Sequence, residues 1–223
     1  MPQNKFPKNK KWVRNKCLLE EIDPQALFKH QTGISHTGMK TVGNWTVEDT
    51  SLAGLKVLKP RKFNDNRGFF VELYHQEAMS LLGFGDDFVQ TNLSSSKKGV
   101  VRGLHYQSHP HAMSKLVTCV KGRLYDVAVD IRKDSVTFGQ WYGVEIDEAS
   151  ATLLYIPRGF AHGFVALEED TVILYQCDAH YHQPSDSGIR WNDPQIGIVW
   201  PTQTPILSEK DQQLPLLKDA CLL

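Results

Sequence analysis

From Leu55 onward, short apolar runs alternate with polar positions and are broken by Gly, Pro, Asn and Asp. Such runs cover residues 69–74, 100–107, 115–120, 124–131, 141–146, 151–156 and 171–177. Their recurrence every roughly 8–15 residues is the pattern of an all-β sandwich or barrel. Residues 124–131 alternate most clearly. Tyr125, Val127, Val129 and Ile131 fall on one face, and Asp126, Ala128 and Asp130 on the other. Those two acids point either to solvent or into the polar mouth of a barrel. Helical patterns are few: residues 76–82, a short piece near Leu214, and residues 17–30 with Leu18, Leu19, Ile22 and Leu27 as an apolar stripe. They do not recur between strands, which argues against a doubly wound α/β fold. There is no internal repeat, and no glycine-rich nucleotide loop or nucleophile elbow.

Residues 1–50 differ in texture. The first sixteen hold six Lys/Arg and no Asp or Glu, which reads as a solvated tail or as a partner- or nucleic-acid-binding arm. Residues 31–44 are polar and glycine-containing and read as linker. The expected organisation is therefore an N-terminal extension, residues 1–50, and one domain, residues 51–223.

Composition narrows the class. Of 223 residues, 41% are hydrophobic and 22% charged, which excludes a mainly disordered chain and a small disulfide scaffold. Lys+Arg 25 against Asp+Glu 25 gives no global field toward nucleic acid or an anionic membrane, so neither is expected as a partner. The four cysteines are far apart and form no C-x-x-C pair, and two lie in strand-like runs. They read as reduced thiols of a cytoplasmic protein. No apolar run approaches the ~18 residues that span a bilayer, and the basic N-terminus lacks a secretory apolar region.

Histidines cluster: His105, His109 and His111 lie close together, His162 sits in an apolar run, and His180 and His182 flank Tyr181. His109-x-His111 is a candidate metal pair, but Pro110 interrupts any strand there and Lys115 follows where a carboxylate ligand would be expected. Metal-free proton chemistry fits better. Arg102, His105 and Lys115 fall in two successive strand-like runs, and cations flanking an imidazole suit an anionic or carbonyl-bearing ligand. The competing reading makes His105 a half-buried structural histidine among surface cations. Strict alternation puts Arg102 and His105 on opposite faces; a bulge at Gly103 would bring them together.

At these residues the sequence resembles the deoxysugar-nucleotide 3,5-epimerase family, typified by dTDP-4-dehydrorhamnose 3,5-epimerase. The matching stretches, in order, are residues 65–72 (DNRGFFVE), 88–92 (FVQTN), 101–107 (VRGLHYQ), 115–117 (KLV), 126–132 (DVAVDIR), 156–164, 191–194 (WNDP) and 207–211 (LSEKD). The resemblance implies a jelly-roll cupin, all-β with a few short helices, and an isomerase with no cofactor and no metal. The implied substrate is a nucleoside-diphosphate 4-keto-6-deoxyhexose, inverted at C3 and C5 on the way to L-rhamnose or a related deoxysugar.

By the same resemblance His105 is the base and Asp211 its carboxylate partner. Lys115 faces the developing O4 anion, where a positioned donor contributes roughly 3–4 kcal/mol. Tyr175 returns the proton from the opposite face. Arg67, Arg102 and Lys210 match diphosphate or nucleotide contacts; Glu72, Gln90 and Asn92 match base and sugar contacts; His162 matches a further substrate contact. The implied assembly is a homodimer in which the segment bearing Arg67 and Glu72 is exchanged. Where the family has Tyr-Tyr-x-Pro, with an aromatic ring stacked on the base, this chain has His180-Tyr181-His182-Gln183-Pro184. Either Tyr181 or His182 takes the stacking position. The alternatives left open are inversion at C3 alone, ketoisomerisation on the same fold, a metal-dependent cupin oxygenase, and a non-catalytic sugar-nucleotide-binding cupin.

Overall fold

The computed structural model describes residues 38–84 and 87–222. The expected helix over residues 17–30 and the basic first sixteen residues lie outside them. Fourteen strands run in chain order: β1 (Met39–Val42), β2 (Trp45–Asp49), β3 (Lys56–Pro60), β4 (Lys62–Asp65), β5 (Gly68–Val71), β6 (Gln90–Ser96), β7 (Val101–Gln107), β8 (Lys115–Lys121), β9 (Arg123–Asp130), β10 (Trp141–Asp147), β11 (Leu153–Ile156), β12 (Phe160–Ala166), β13 (Thr171–Cys177) and β14 (Asp186–Gly188). A seven-stranded sheet, β1-β2-β3-β11-β8-β13-β6, faces a five-stranded sheet, β10-β9-β12-β7-β14, and β4-β5 forms a separate hairpin. This is the expected all-β jelly roll, with two open sheets rather than one closed barrel.

Period-two alternation builds three apolar layers from two sheets. Val57, Val117 and Leu154 meet Leu124, Ala128 and Phe164 between the sheets. Their chain neighbours Leu58, Leu116 and Leu153 point the other way, under Ala78 and Met79 of the helix Gln76–Leu81. On the outer face of the five-stranded sheet, Val127, Val129 and Ile131 are covered by Ile189, Ile196, Trp200 and Leu217 from the C-terminal segment. The odd-numbered face of β9 is thus buried under chain. Asp126 and Asp130 on the even face are also fully buried.

Two expectations need correction and a third is refined. Residues 39–42 of the supposed linker form β1, and β2 lies within the supposed extension; both belong to the larger sheet. The short C-terminal helical piece expected near Leu214 is resolved into Glu209–Gln212 and a 3₁₀ turn at Leu217–Asp219 on either side of it. The strand expected over residues 69–74 ends at Val71.

A bulge does interrupt β7. His162 of β12 lies opposite His105 and Phe164 opposite Arg102, so three steps on β7 match two on β12. Gly103 has φ +125°, and a Cβ there would lie 2.6 Å from Gly163 Cα. Only glycine fits that close strand approach.

Candidate active site

The inter-sheet layer turns from apolar to polar at one end. On β8, β13 and β6 the inward row Lys115, Cys177, Gln90 is followed by Val117, Tyr175, Asn92. Facing them, β7 contributes His105 and β12 contributes His162. A cavity of about 410 Å³ opens here, lined among others by Gln90, Asn92, His105, Lys115, Tyr175, Tyr181 and Lys210.

Asp211 arrives from the helix Glu209–Gln212. Ser208 caps that helix, its hydroxyl accepting the Asp211 N–H at 3.1 Å, and so fixes the carboxylate. Asp211 Oδ1 lies 2.5 Å from His105 Nε2 across 106 residues of sequence. Burial pushes the Asp211 carboxyl up, but the hydrogen bond and charge of His105, with Ser208 and Lys210, bring it below the usual carboxylate range. An ionised Asp211 accepts the Nε2 proton and leaves the other ring nitrogen of His105 free for a substrate. The imidazole side chain is 31% exposed and its partner 5%, so the ring, not the carboxylate, meets the cavity.

Burial pushes the Lys115 ammonium down, partly offset by Cys177, Asp126 and Asp186. Burial also pushes the Tyr175 hydroxyl up, Cys177 adds to this, and the charge of Arg102 opposes it. A tyrosine held protonated is a proton donor rather than a base.

A second imidazole–carboxylate pair stands beside the first on the paired strand. His162 Nε2 lies 2.7 Å from Asp126 Oδ1, with both side chains buried. Burial holds the His162 ring below its ordinary value despite Asp126. The other carboxylate oxygen, Asp126 Oδ2, is buried with no hydrogen-bond partner among the described residues.

Gln90, Asn92, Tyr181 and Lys210 all line the cavity with His105, Lys115 and Tyr175. Tyr181, not His182, is the ring at the mouth. Its hydroxyl donates to Asp186 Oδ2 at 3.0 Å, while the His182 ring turns away and stacks on His111 at 3.7 Å. Arg102 flanks the site, its guanidinium tied to Ser96 Oγ at 3.1 Å and to the Ser95 carbonyl at 3.0 Å. His162 lies beside His105 on the paired strand and is not in the cavity lining. Arg67 and Glu72 are not brought to this cavity; Arg67 sits in the exposed β4–β5 turn paired with Asp65. Among the described residues, no group of three or more His, Cys, Asp or Glu is placed to hold a metal ion.

Two residues at the site were given no role from the sequence, Cys177 and Gln107, and Asp126 was left between solvent and a polar barrel mouth. The structure settles Asp126 as inward and fully buried. Gln107 lay in a matching stretch without an assigned role, and nothing in the pattern marked Cys177. A larger cavity of about 630 Å³, lined by His109, Arg132, Lys133 and Arg158, lies elsewhere. Its arginines are committed to Asp130 and Asp178, so it offers less free charge than its residue types suggest.

Fold and site together define a cupin-type jelly roll with acid–base side chains inside its mouth. A sequence model of the family described as dTDP-4-dehydrorhamnose 3,5-epimerase matches residues 49–219, and the chain belongs to that family. It is similar to the dTDP-4-dehydrorhamnose 3,5-epimerase of Salmonella typhimurium, 49% identical over 78% of this chain and 96% of that protein. The solved Bacillus anthracis dTDP-4-dehydrorhamnose 3,5-epimerase, with TDP and PPi bound, is 45% identical at a TM-score of 0.76, covering 77% of this chain and 99% of that one. The Legionella pneumophila dTDP-6-deoxy-D-glucose-3,5-epimerase, in complex with dTDP-4-keto-L-rhamnose, is 43% identical at a TM-score of 0.75, covering 78% of this chain and 93% of that one.

Proposed function

We propose that this protein epimerises C3 and C5 of a dTDP-linked 4-keto-6-deoxyhexose. The observation that carries the reading is one cavity with the His105–Asp211 pair on one sheet's side and Lys115 with Tyr175 on the other's. The C4 ketone acidifies the hydrogens on both neighbouring carbons. The free nitrogen of His105 takes one of them, and the C–H electron pair moves into an enolate whose negative charge sits on O4. Lys115 donates a hydrogen bond to that oxygen. Asp211 stabilises the imidazolium, and the Tyr175 hydroxyl protonates carbon from the opposite face. Inversion follows because removal and return occur on different faces; the imidazolium then gives its proton to solvent and the tyrosinate takes one from it before the second carbon reacts, with no redox change. Positioned proton transfer of this kind contributes about 10²–10⁴-fold.

Arg102 and Lys210 are assigned to the diphosphate, Gln90 and Asn92 to the sugar or base, and Tyr181 to stacking on the base. His162, beside His105, is assigned to the sugar. Arg67 and Glu72 are assigned to the cavity of a second copy, which makes the working form a homodimer. We also place the enzyme in the cytoplasm: Cys119, Cys177 and Cys221 are free thiols, and no described helix is long and apolar enough to cross a membrane.

Solvent labelling tests the reaction. In D₂O, dTDP-4-dehydro-6-deoxyglucose is expected to gain deuterium at both C3 and C5, read by NMR. Label at C3 alone would make the protein a mono-epimerase, and none at either carbon would leave it a binding module.

A further inference from the structure

Three consecutive residues of the loop carrying Tyr181 are held through their backbone by side-chain amides, one from each sheet. Gln107, the last residue of β7, donates from Nε2 to the His180 carbonyl at 3.3 Å. The same nitrogen donates to the His111 carbonyl at 2.7 Å, and its Oε1 accepts the His182 N–H at 2.6 Å. From the opposite sheet, Gln90 Oε1 accepts the Tyr181 N–H at 2.9 Å. The amide orientation of Gln107 follows from its partners: two carbonyls face nitrogen and one N–H faces oxygen. At 5% exposure, Gln107 cannot exchange those partners for water without cost. The His111 and His182 rings stack at 3.7 Å and 18°, so the two loops that Gln107 ties together also pack on each other.

We propose that Gln107 is a positioning residue for the nucleotide end of the substrate, fixing the ring of Tyr181 over the cavity mouth by gripping the backbone on both sides of it. This rests on the assignment of Tyr181 to base stacking made above. Gln107 shares a strand face with His105, two residues away, yet its amide is committed to backbone. Its loss therefore acts on binding of the base rather than on the proton transfers.

Gln107→Glu preserves shape and the acceptor for His182 but removes the donor to two carbonyls. Gln107→Met removes both without adding charge, and serves if the glutamate impairs folding. The probes are dTDP-4-dehydro-6-deoxyglucose for turnover, and dTDP and inorganic pyrophosphate for calorimetric binding. KM and the dTDP Kd are expected to rise about tenfold or more, the scale of one or two buried hydrogen bonds. The expected kcat stays within about threefold and pyrophosphate affinity is unchanged, the split of a lost binding interaction. Adding Tyr181→Ala to either variant is expected to cost far less than Tyr181→Ala alone, because the two act through one contact. Unchanged dTDP affinity, equal loss of pyrophosphate affinity, or additive effects would overturn the proposal. If the wild-type protein fails to exchange deuterium, the epimerase reading falls, and the dTDP and pyrophosphate measurements still decide the role of Gln107.

Discussion

Two imidazole–carboxylate pairs stand side by side, their histidines opposite one another on paired strands, and their surroundings give them different properties. His105 faces the cavity, whereas His162 is buried against Asp126. Burial lowers the proton affinity of His162 in the folded chain from its ordinary 6.5. The unfolded chain takes up that proton first as pH falls. His162 therefore costs nothing above about pH 6.5, and stability declines below it, through the folded-state value, by at most about 1.4 kcal/mol per pH unit. Asp211, whose folded carboxyl lies below 3.8, has its stabilisation intact above that pH and loses it only in stronger acid. The two windows are separable. Thermal unfolding of His162→Gln is expected to decline less steeply than wild type between pH 6.5 and 5. Parallel curves would mean that His162 binds its proton equally well in the folded and the unfolded chain.

At the scale of elements, the β1–β2 hairpin contributes to the core although it stands at the edge of the larger sheet. Trp45 is 1% exposed and packs with Val42, Val47 and Leu58 against Ala78, Met79 and Phe84. Its indole Nε1 is buried with no hydrogen-bond partner among the described residues. Trp45→Ala is expected to cost about 3–5 kcal/mol by chemical denaturation. Trp45→Phe should cost much less, because it removes an unsatisfied donor along with the contacts. Equal losses would show that the indole nitrogen is satisfied. The sequence made β8 and β13 legible to within a residue, because each is a short apolar run bounded by polar or turn residues. It hid β6, whose inward residues Gln90, Asn92, Ser94 and Ser96 are polar where they line or approach the site. Function had erased the periodicity there. It hid β12 for a different reason: both faces are buried, so no alternation is left to read. His105, Lys115 and Arg102 could be linked by proximity along the chain. Asp211 could be reached only through the family resemblance, which included Gln107 without giving it a role.

In the molecule as a whole, one element among the described residues joins neither large sheet. The β4–β5 hairpin is two strands alone, which is marginal in water, and it exposes Phe69 at 57% and Phe70 at 67%. It also carries Arg67, which does not line its own chain's cavity. Both facts fit a hairpin that packs on a second copy and completes that copy's site, under the two-fold symmetry usual for such pairs. The consequence can be measured with two inactive proteins. His105→Ala lacks the base in each of its cavities, and Arg67→Ala lacks the exchanged cation in each of its own. In a mixed dimer, the chain with intact His105 receives Arg67 from its partner, so one cavity of two is whole. Random reassociation makes about half the dimers mixed. Activity should therefore return to roughly a quarter of wild type after the two are unfolded and refolded together, and not when they are mixed without unfolding if exchange is slow. No recovery on co-refolding, with mixed dimers verified by a tag on one chain, would place Arg67 on its own chain's cavity or outside the reaction altogether.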